Sequence, residues 1–144
     1  MDLKTLESRL PNGFHDAEIL SISVNYAAAT ALIDLNLSTG TPGGTDPDEY
    51  RRGRLTIHGL HYLVCDPPET LRQGGDGEGL WVTTLDADAP GLSPGLAGLI
   101  RALPRGAFCH RLYVAQWNSF IHLSAQAAEL TWTPKTSAGG PRQA

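Results

Sequence analysis

Residues 19–26 and 30–38 alternate between apolar and polar side chains with a period of two. Successive side chains of an extended strand point to opposite faces, so this alternation places one face of each strand in a core and the other in solvent. Only Ile19 interrupts the first pattern. Because Ala27-Ala28-Ala29 offers a short reversal between the two stretches, they predict an antiparallel hairpin.

Weaker patterns of the same kind cover much of the remaining chain. Gly59 lies where the apolar positions of one long stretch change parity, which is typical of a β-bulge. The patterns predict an α+β fold with a mainly antiparallel sheet, strongly twisted or partly closed, built from hairpins, with two short helices. Further strands are predicted at 54–65, 80–85, 107–117, 120–125 and 128–133, with helices at 2–10 and 94–103.

Length and composition limit the chain to one globular domain. The 144 residues are 41% hydrophobic, enough for one real core. We predict a single domain over residues 1–134 and a disordered tail over 135–144, which carries little apolar content. Cys65 and Cys109 are too few for a disulfide framework and have apolar neighbours, so both are expected to be reduced and largely buried.

Charge and hydropathy argue against two classes of partner. The formal net charge is -4, whereas duplex-binding domains present a basic face, so no nucleic-acid partner is expected. No apolar run reaches the roughly 18 residues of a membrane span, so no membrane partner is expected. The first residues lack the pattern of a secretory signal, and a cytoplasmic location is therefore the expectation.

The segment Phe14-His15-Asp16-Ala17-Glu18 places a histidine and two carboxylates at the start of the first strand. If the strand parity continues backwards, Asp16 and Glu18 lie at the rim of the apolar face. A carboxylate there requires donors or a cation, because burying an unpaired charge is costly. Asp16 is therefore expected to fix the strand register, or alternatively only to bind the backbone of the loop.

With this segment and with Trp117-Asn118-Ser119-Phe120-Ile121-His122, the chain resembles a group of small uncharacterised bacterial proteins. More distantly it resembles the immunity-protein family 50-like group of polymorphic-toxin systems. The resemblance covers residues 14–38 and 106–133. It implies a non-catalytic module that binds a toxin-like protein partner, and it supplies no catalytic residues. The candidate functional cluster is His15, Asp16, Glu18, Trp117, Asn118 and His122.

A metal-binding domain or metal-dependent enzyme is the first alternative. Imidazole and carboxylate groups suit divalent metals, but here they would have to converge from separate strands. Neither cysteine lies in a catalytic signature, so the sequence does not assign an enzyme. The candidate ligands of a divalent metal are His15, Asp16 and His122, with Glu18 nearby.

A small-ligand binder is the second alternative. A curved sheet can enclose a cavity whose walls are aromatic, although core packing is the usual role of aromatic side chains. The residues that would line such a cavity are Trp81, Trp117, Tyr113 and His110.

Overall fold

The computed structural model describes residues 1–41, 43–46, 48–69, 79–85 and 94–134. The described chain forms one sheet of eight antiparallel strands with two short helices, which confirms the predicted α+β class. The predicted tail at 135–144 lies outside these ranges. The elements in chain order are α1 (Leu3–Glu7), β1 (Ala17–Asn25), β2 (Thr30–Ser38), β3 (Tyr50–His58), β4 (Tyr62–Cys65), β5 (Leu80–Leu85), α2 (Pro94–Arg101), β6 (Phe108–Val114), β7 (Ser119–Ala125) and β8 (Ala127–Trp132).

The strand order is β4-β7-β6-β5-β1-β2-β3-β8, and the sheet is not closed. The chain nevertheless connects its two sides, since β7, the neighbour of the end strand β4, runs into the other end strand β8 across Gln126 alone. The connection from β3 to β4 lies at the same level, where the Gln126 N–H is 3.1 Å from the carbonyl oxygens of both His58 and Gly59. Gly59 has a φ of 61° and follows the end of β3, so the predicted β-bulge within one strand at 54–65 is wrong. The stretch forms two strands, because β3 pairs with β2 and β8 whereas β4 pairs with β7.

The first hairpin forms as predicted, but β1 contains an irregularity. The β1–β2 register shifts between Ile19 and Ser21, so Leu20 is an extra residue in β1. Ile19 therefore faces the core together with Ile22, and Glu18 is turned to the outer face opposite Asn36. The expectation that Glu18 continues the apolar face is wrong, because one inserted residue reverses the parity of everything before it.

A single hydrophobic core lies inside the curved sheet. Its buried side chains come from α1, from the segment before β1, from Leu60 between β3 and β4, and from every strand except β4. Asp2 caps α1 by accepting a hydrogen bond from the Thr5 N–H at 2.7 Å. Leu3 and Leu6 are buried and pack this helix against the core. A void lined by Phe14, Leu3 and their apolar neighbours has a volume of about 10 Å³, the size of a single water.

Three predicted boundaries move. The α1 helix is shorter than 2–10, because the chain leaves it at Ser8 for a series of turns. The β6 strand ends at Val114 instead of residue 117, since Ala115–Asn118 form the turn to β7. The α2 helix begins at Pro94 as predicted but ends at Arg101 instead of residue 103. Neither helix in the part of the chain described has the length and apolar character to cross a membrane.

Both cysteines are free thiols, in agreement with the prediction, but Cys65 is exposed and Cys109 only partly covered. The predicted burial of Cys65 is wrong because it lies in β4, which ends the strand order of the sheet. Neighbouring atoms that displace water, together with the charge of Asp66, still raise the pKa of the Cys65 thiol.

Candidate functional site

The segment that enters β1 divides its side chains between the core and solvent. Phe14 and Ala17 are buried in the core, whereas His15 and Asp16 are exposed. Asp16 has a φ of 56°, in the left-handed region, and its Oδ2 lies 2.9 Å from His15 Nδ1. Both side chains of this contact are exposed to solvent, so Asp16 does not lie at the rim of the core.

Asn12 anchors this segment to the end of β2. Its side-chain amide donates to the Ser38 carbonyl at 3.3 Å, to Ser38 Oγ at 3.1 Å and to the Gly40 carbonyl at 2.8 Å. Asn12 therefore makes the contacts to a neighbouring strand that the sequence predicts for Asp16. An asparagine between Pro11 and Gly13 is typical of a turn, and nothing local indicates that its amide reaches another strand.

Glu18 is almost buried although it faces outward. Only 8% of the residue is exposed, and its Oε2 accepts a hydrogen bond from the Asn36 amide at 2.9 Å. Gly79 allows β5 to approach, since a Cβ at that position would lie 2.7 Å from Glu18 Cγ. No hydrogen bond to the second carboxylate oxygen, Oε1, is made within the described ranges.

Two aromatic side chains stand beside this carboxylate. Trp81 is the β5 residue opposite Glu18, and its ring meets that of Tyr50 edge to face with centroids 6.1 Å apart. Trp81 is 39% exposed and Tyr50 is 40% exposed. Burial and the charges of Asp16, Asp48 and Glu18 raise the pKa of the Tyr50 hydroxyl. We call Asp16, Glu18, Tyr50 and Trp81 the aromatic–acid surface.

Basic residues border the aromatic–acid surface. His15 is paired with Asp16, and Arg52 lies opposite Asn36 in the β2–β3 ladder and has a partner of its own. With Asp16, Glu18 and Asp48 acting on Tyr50, carboxylates outnumber these basic groups.

The other half of the predicted cluster lies at the β6–β7 turn. Asn118, with a φ of 45°, accepts a hydrogen bond from the Tyr113 hydroxyl at 2.7 Å and donates to the Glu69 carboxylate. The Trp117 carbonyl accepts the Glu69 N–H at 2.9 Å, and the Trp117 ring packs against the core. These contacts hold the chain that follows β4 against the β6–β7 turn.

His122 is a buried residue of β7. Its Nε2 lies 2.8 Å from Asp66 Oδ2, and its buried Nδ1 has no hydrogen-bond partner among the described residues. Arg111 faces His122 across the β6–β7 ladder and lies over the Phe120 ring, with Cζ 4.3 Å from the ring centroid. The Asp66–His122 contact joins the end of β4 to β7, which is a tertiary link that no sequence spacing indicated.

The two halves of the predicted cluster are not brought together. Ala17 at the start of β1 is separated from Ser119 at the start of β7 by Val82 and Val114, which is three strand spacings or about 14 Å. Within the ranges that the structure describes, no three His, Cys, Asp or Glu side chains are grouped as metal ligands would be. His15 and Asp16 meet each other, while His122 meets Asp66.

The residues expected to line a ligand cavity are dispersed. Trp81 is exposed on the outer face, Tyr113 bonds Asn118, and His110 Nε2 lies 3.8 Å from Glu7 Oε2. None of them lines the 10 Å³ void of the core.

Comparisons with protein-family models, with curated proteins and with solved structures found no match to this chain.

Proposed function

We propose that this protein is a non-catalytic protein-binding module, of the immunity-like kind, which binds a toxin-like protein partner through the aromatic–acid surface. The observation that carries the proposal is the edge-to-face pair of Tyr50 and Trp81, both about two-fifths exposed, beside the almost buried Glu18. Exposed aromatic side chains held in place are the residues that dominate the energetics of protein interfaces.

The strands support this role by fixing the side chains before binding. Tyr50 begins β3, Trp81 lies in β5 and Glu18 lies in β1, so each is held by a backbone ladder. A surface that is already ordered loses little conformational entropy when a partner binds. The carboxylates and the net charge of -4 favour a basic partner, whose approach they accelerate by electrostatic steering.

The test is binding to the proteins encoded beside this gene, each purified and titrated calorimetrically. We expect one of them to bind the wild-type chain, and we expect Trp81→Ala and Tyr50→Ala each to weaken binding by about 30-fold, the loss typical of an interface hot spot. Tyr26→Ala is the matched control, because Tyr26 is a 69% exposed aromatic in the β1–β2 turn, outside the aromatic–acid surface.

Two results would contradict the proposal. If no neighbouring gene product binds the wild-type chain, the immunity-like function is wrong. If one binds with the same affinity to wild type, Trp81→Ala and Tyr50→Ala, the partner uses another surface.

A further inference from the structure

We propose that the aromatic–acid surface recognises a single arginine side chain of the partner protein, with the guanidinium group against the Trp81 ring and paired with the Glu18 carboxylate. This inference rests on the proposed protein-binding function and adds the chemistry of the group that is bound.

The first argument is the state of the Glu18 carboxylate. The residue is only 8% exposed, yet its hydrogen bonding in the described chain consists of one bond from Asn36 to Oε2. A carboxylate of which little is exposed, and of which one oxygen has no donor, gains from a cation that approaches that oxygen. Oε1 remains available for such a group, and the adjacent Gly79 leaves no side chain of its own over the carboxylate.

The second argument is that arginine side chains of this chain lie over two other aromatic rings. Arg51 lies over Trp132, with Cζ 4.6 Å from the ring centroid, and Arg111 lies over Phe120 at 4.3 Å. The exposed Trp81 and Tyr50 rings carry no Lys or Arg of the described chain on their faces. They are flanked instead by carboxylates, so the surface has both an aromatic face and negative charge for a cation supplied from outside.

Arginine fits this arrangement better than lysine. Its planar guanidinium stacks on an aromatic ring while its edge donates to a carboxylate, and it is more weakly hydrated than an ammonium group. The compact ammonium group of lysine can contact the ring or pair with the carboxylate, but it makes both interactions at once less well than a planar guanidinium. Arg52 borders the site and adds one positive charge, which Asp16 and Asp48 offset.

The test is an NMR titration of the whole chain with N-acetyl-arginine amide, following the Trp81 indole N–H signal, which Trp81→Phe assigns by its disappearance. We expect saturable binding with a Kd of about 1–10 mM, the affinity of one cation–π contact and one ion pair. N-acetyl-citrulline amide has nearly the same shape without the charge, and it should bind at least about tenfold more weakly. The lysine analogue should fall between the two.

Two variants locate the site. Glu18→Gln keeps the shape of the side chain and removes its charge, and Trp81→Ala removes the ring; each should weaken arginine-amide binding by at least about fivefold. Asp34→Asn is the matched control, because it removes the same charge from the outer face of β2, where Asp34 is already paired with Arg54. Unchanged amide spectra elsewhere show that each variant is folded.

The outcomes separate this inference from the proposed function. Equal binding of the arginine and citrulline amides, or binding unchanged in Glu18→Gln and Trp81→Ala, overturns the arginine site. If the protein partner still requires Trp81 in that case, the proposed function stands alone. If the arginine amide binds as expected but the partner binds both variants as tightly as wild type, the partner uses another surface, and the recognition of a partner arginine here is wrong.

Discussion

At the scale of single residues, the entry to β1 depends on Asn12. Its amide group bonds Ser38, the last residue of β2, and Gly40 beyond it. Among the described residues, the Asp16 carboxylate makes its one side-chain contact with the exposed ring of His15. The backbone at Asp16 is in the left-handed region, which Asn adopts about as readily as Asp.

Asn12→Ala should therefore lower the free energy of unfolding by about 1–2 kcal/mol, since partly buried acceptors at Ser38 and Gly40 lose their donor. Asp16→Asn should change it by less than about 0.5 kcal/mol. Urea denaturation of both variants measures this directly. A larger loss of unfolding free energy in Asp16→Asn than in Asn12→Ala would mean that the Asp16 carboxylate fixes the register.

A second residue-scale prediction concerns Asp34. Hydrogen bonds from Arg54, with a further one from Ser21, hold the pKa of the Asp34 carboxyl below its ordinary value of 3.8. A carboxyl with a depressed pKa in the folded state stabilises the fold above pH 3.8 and loses that contribution as the pH falls through the folded-state pKa. Solvent screens the pair, because the Arg54 and Asp34 side chains are 54% and 36% exposed.

The stability difference between wild type and Asp34→Asn should accordingly be small, constant near neutral pH, and smaller still below pH 3.8. Urea denaturation at several pH values between neutrality and strong acid provides the measurement. A difference that grows as the pH falls would mean that the Arg54 pair does not set the titration of Asp34.

At the scale of elements, the irregularity in β1 decides which groups face outward. One extra residue at Leu20 turns Glu18 away from the core and places it between Asn36 and Trp81. The interruption of the alternation at Ile19 was the local sign of this insertion. It also fits a strand that merely begins one residue late, so the sequence does not by itself distinguish the two.

The joint between β3 and β4 gives a prediction at this scale. Gly59 has a φ of 61°, and a Cβ there would lie 2.7 Å from Gln126 Cγ and 2.8 Å from its Cβ. Gly59→Ala should lower the free energy of unfolding by about 1–3 kcal/mol, through backbone strain and displacement of the β7–β8 joint.

Gly98→Ala is the control for this substitution. A Cβ there would meet Arg101 Nη2 at an ordinary 3.8 Å within α2, so alanine should stabilise the helix by up to about 1 kcal/mol. Chemical denaturation compares the two variants. If Gly59→Ala is as harmless as Gly98→Ala, the bend at residues 58–61 does not require glycine.

At the scale of the whole molecule, the aromatic–acid surface is a product of strand order. Glu18, Tyr50 and Trp81 come from β1, β3 and β5, and the order β5-β1-β2-β3 brings the three strands to one region. Strand order also brings together other segments that are distant in the sequence. His58 and Glu129 are 71 residues apart, and their side chains meet at 3.3 Å.

The sequence by itself determined the hairpins, the dominance of antiparallel strands, the places of both helices and the break at Gly59. These features follow from local physics: the period of side-chain direction, the capping of α1 by Asp2 and the conformational freedom of glycine. They could be inferred because each depends on residues that are neighbours along the chain.

Only the tertiary structure decided the rest. Which strands are neighbours fixed the exposure of Trp81 and Tyr50, the near burial of Glu18 beneath Gly79 and the pairing of His122 with Asp66. The strand order also separates His122 from His15 and Asp16. Burial and hydrogen bonding depend on what lies across the sheet, and residues that meet there are tens of positions apart in the sequence, so no local pattern carries this information.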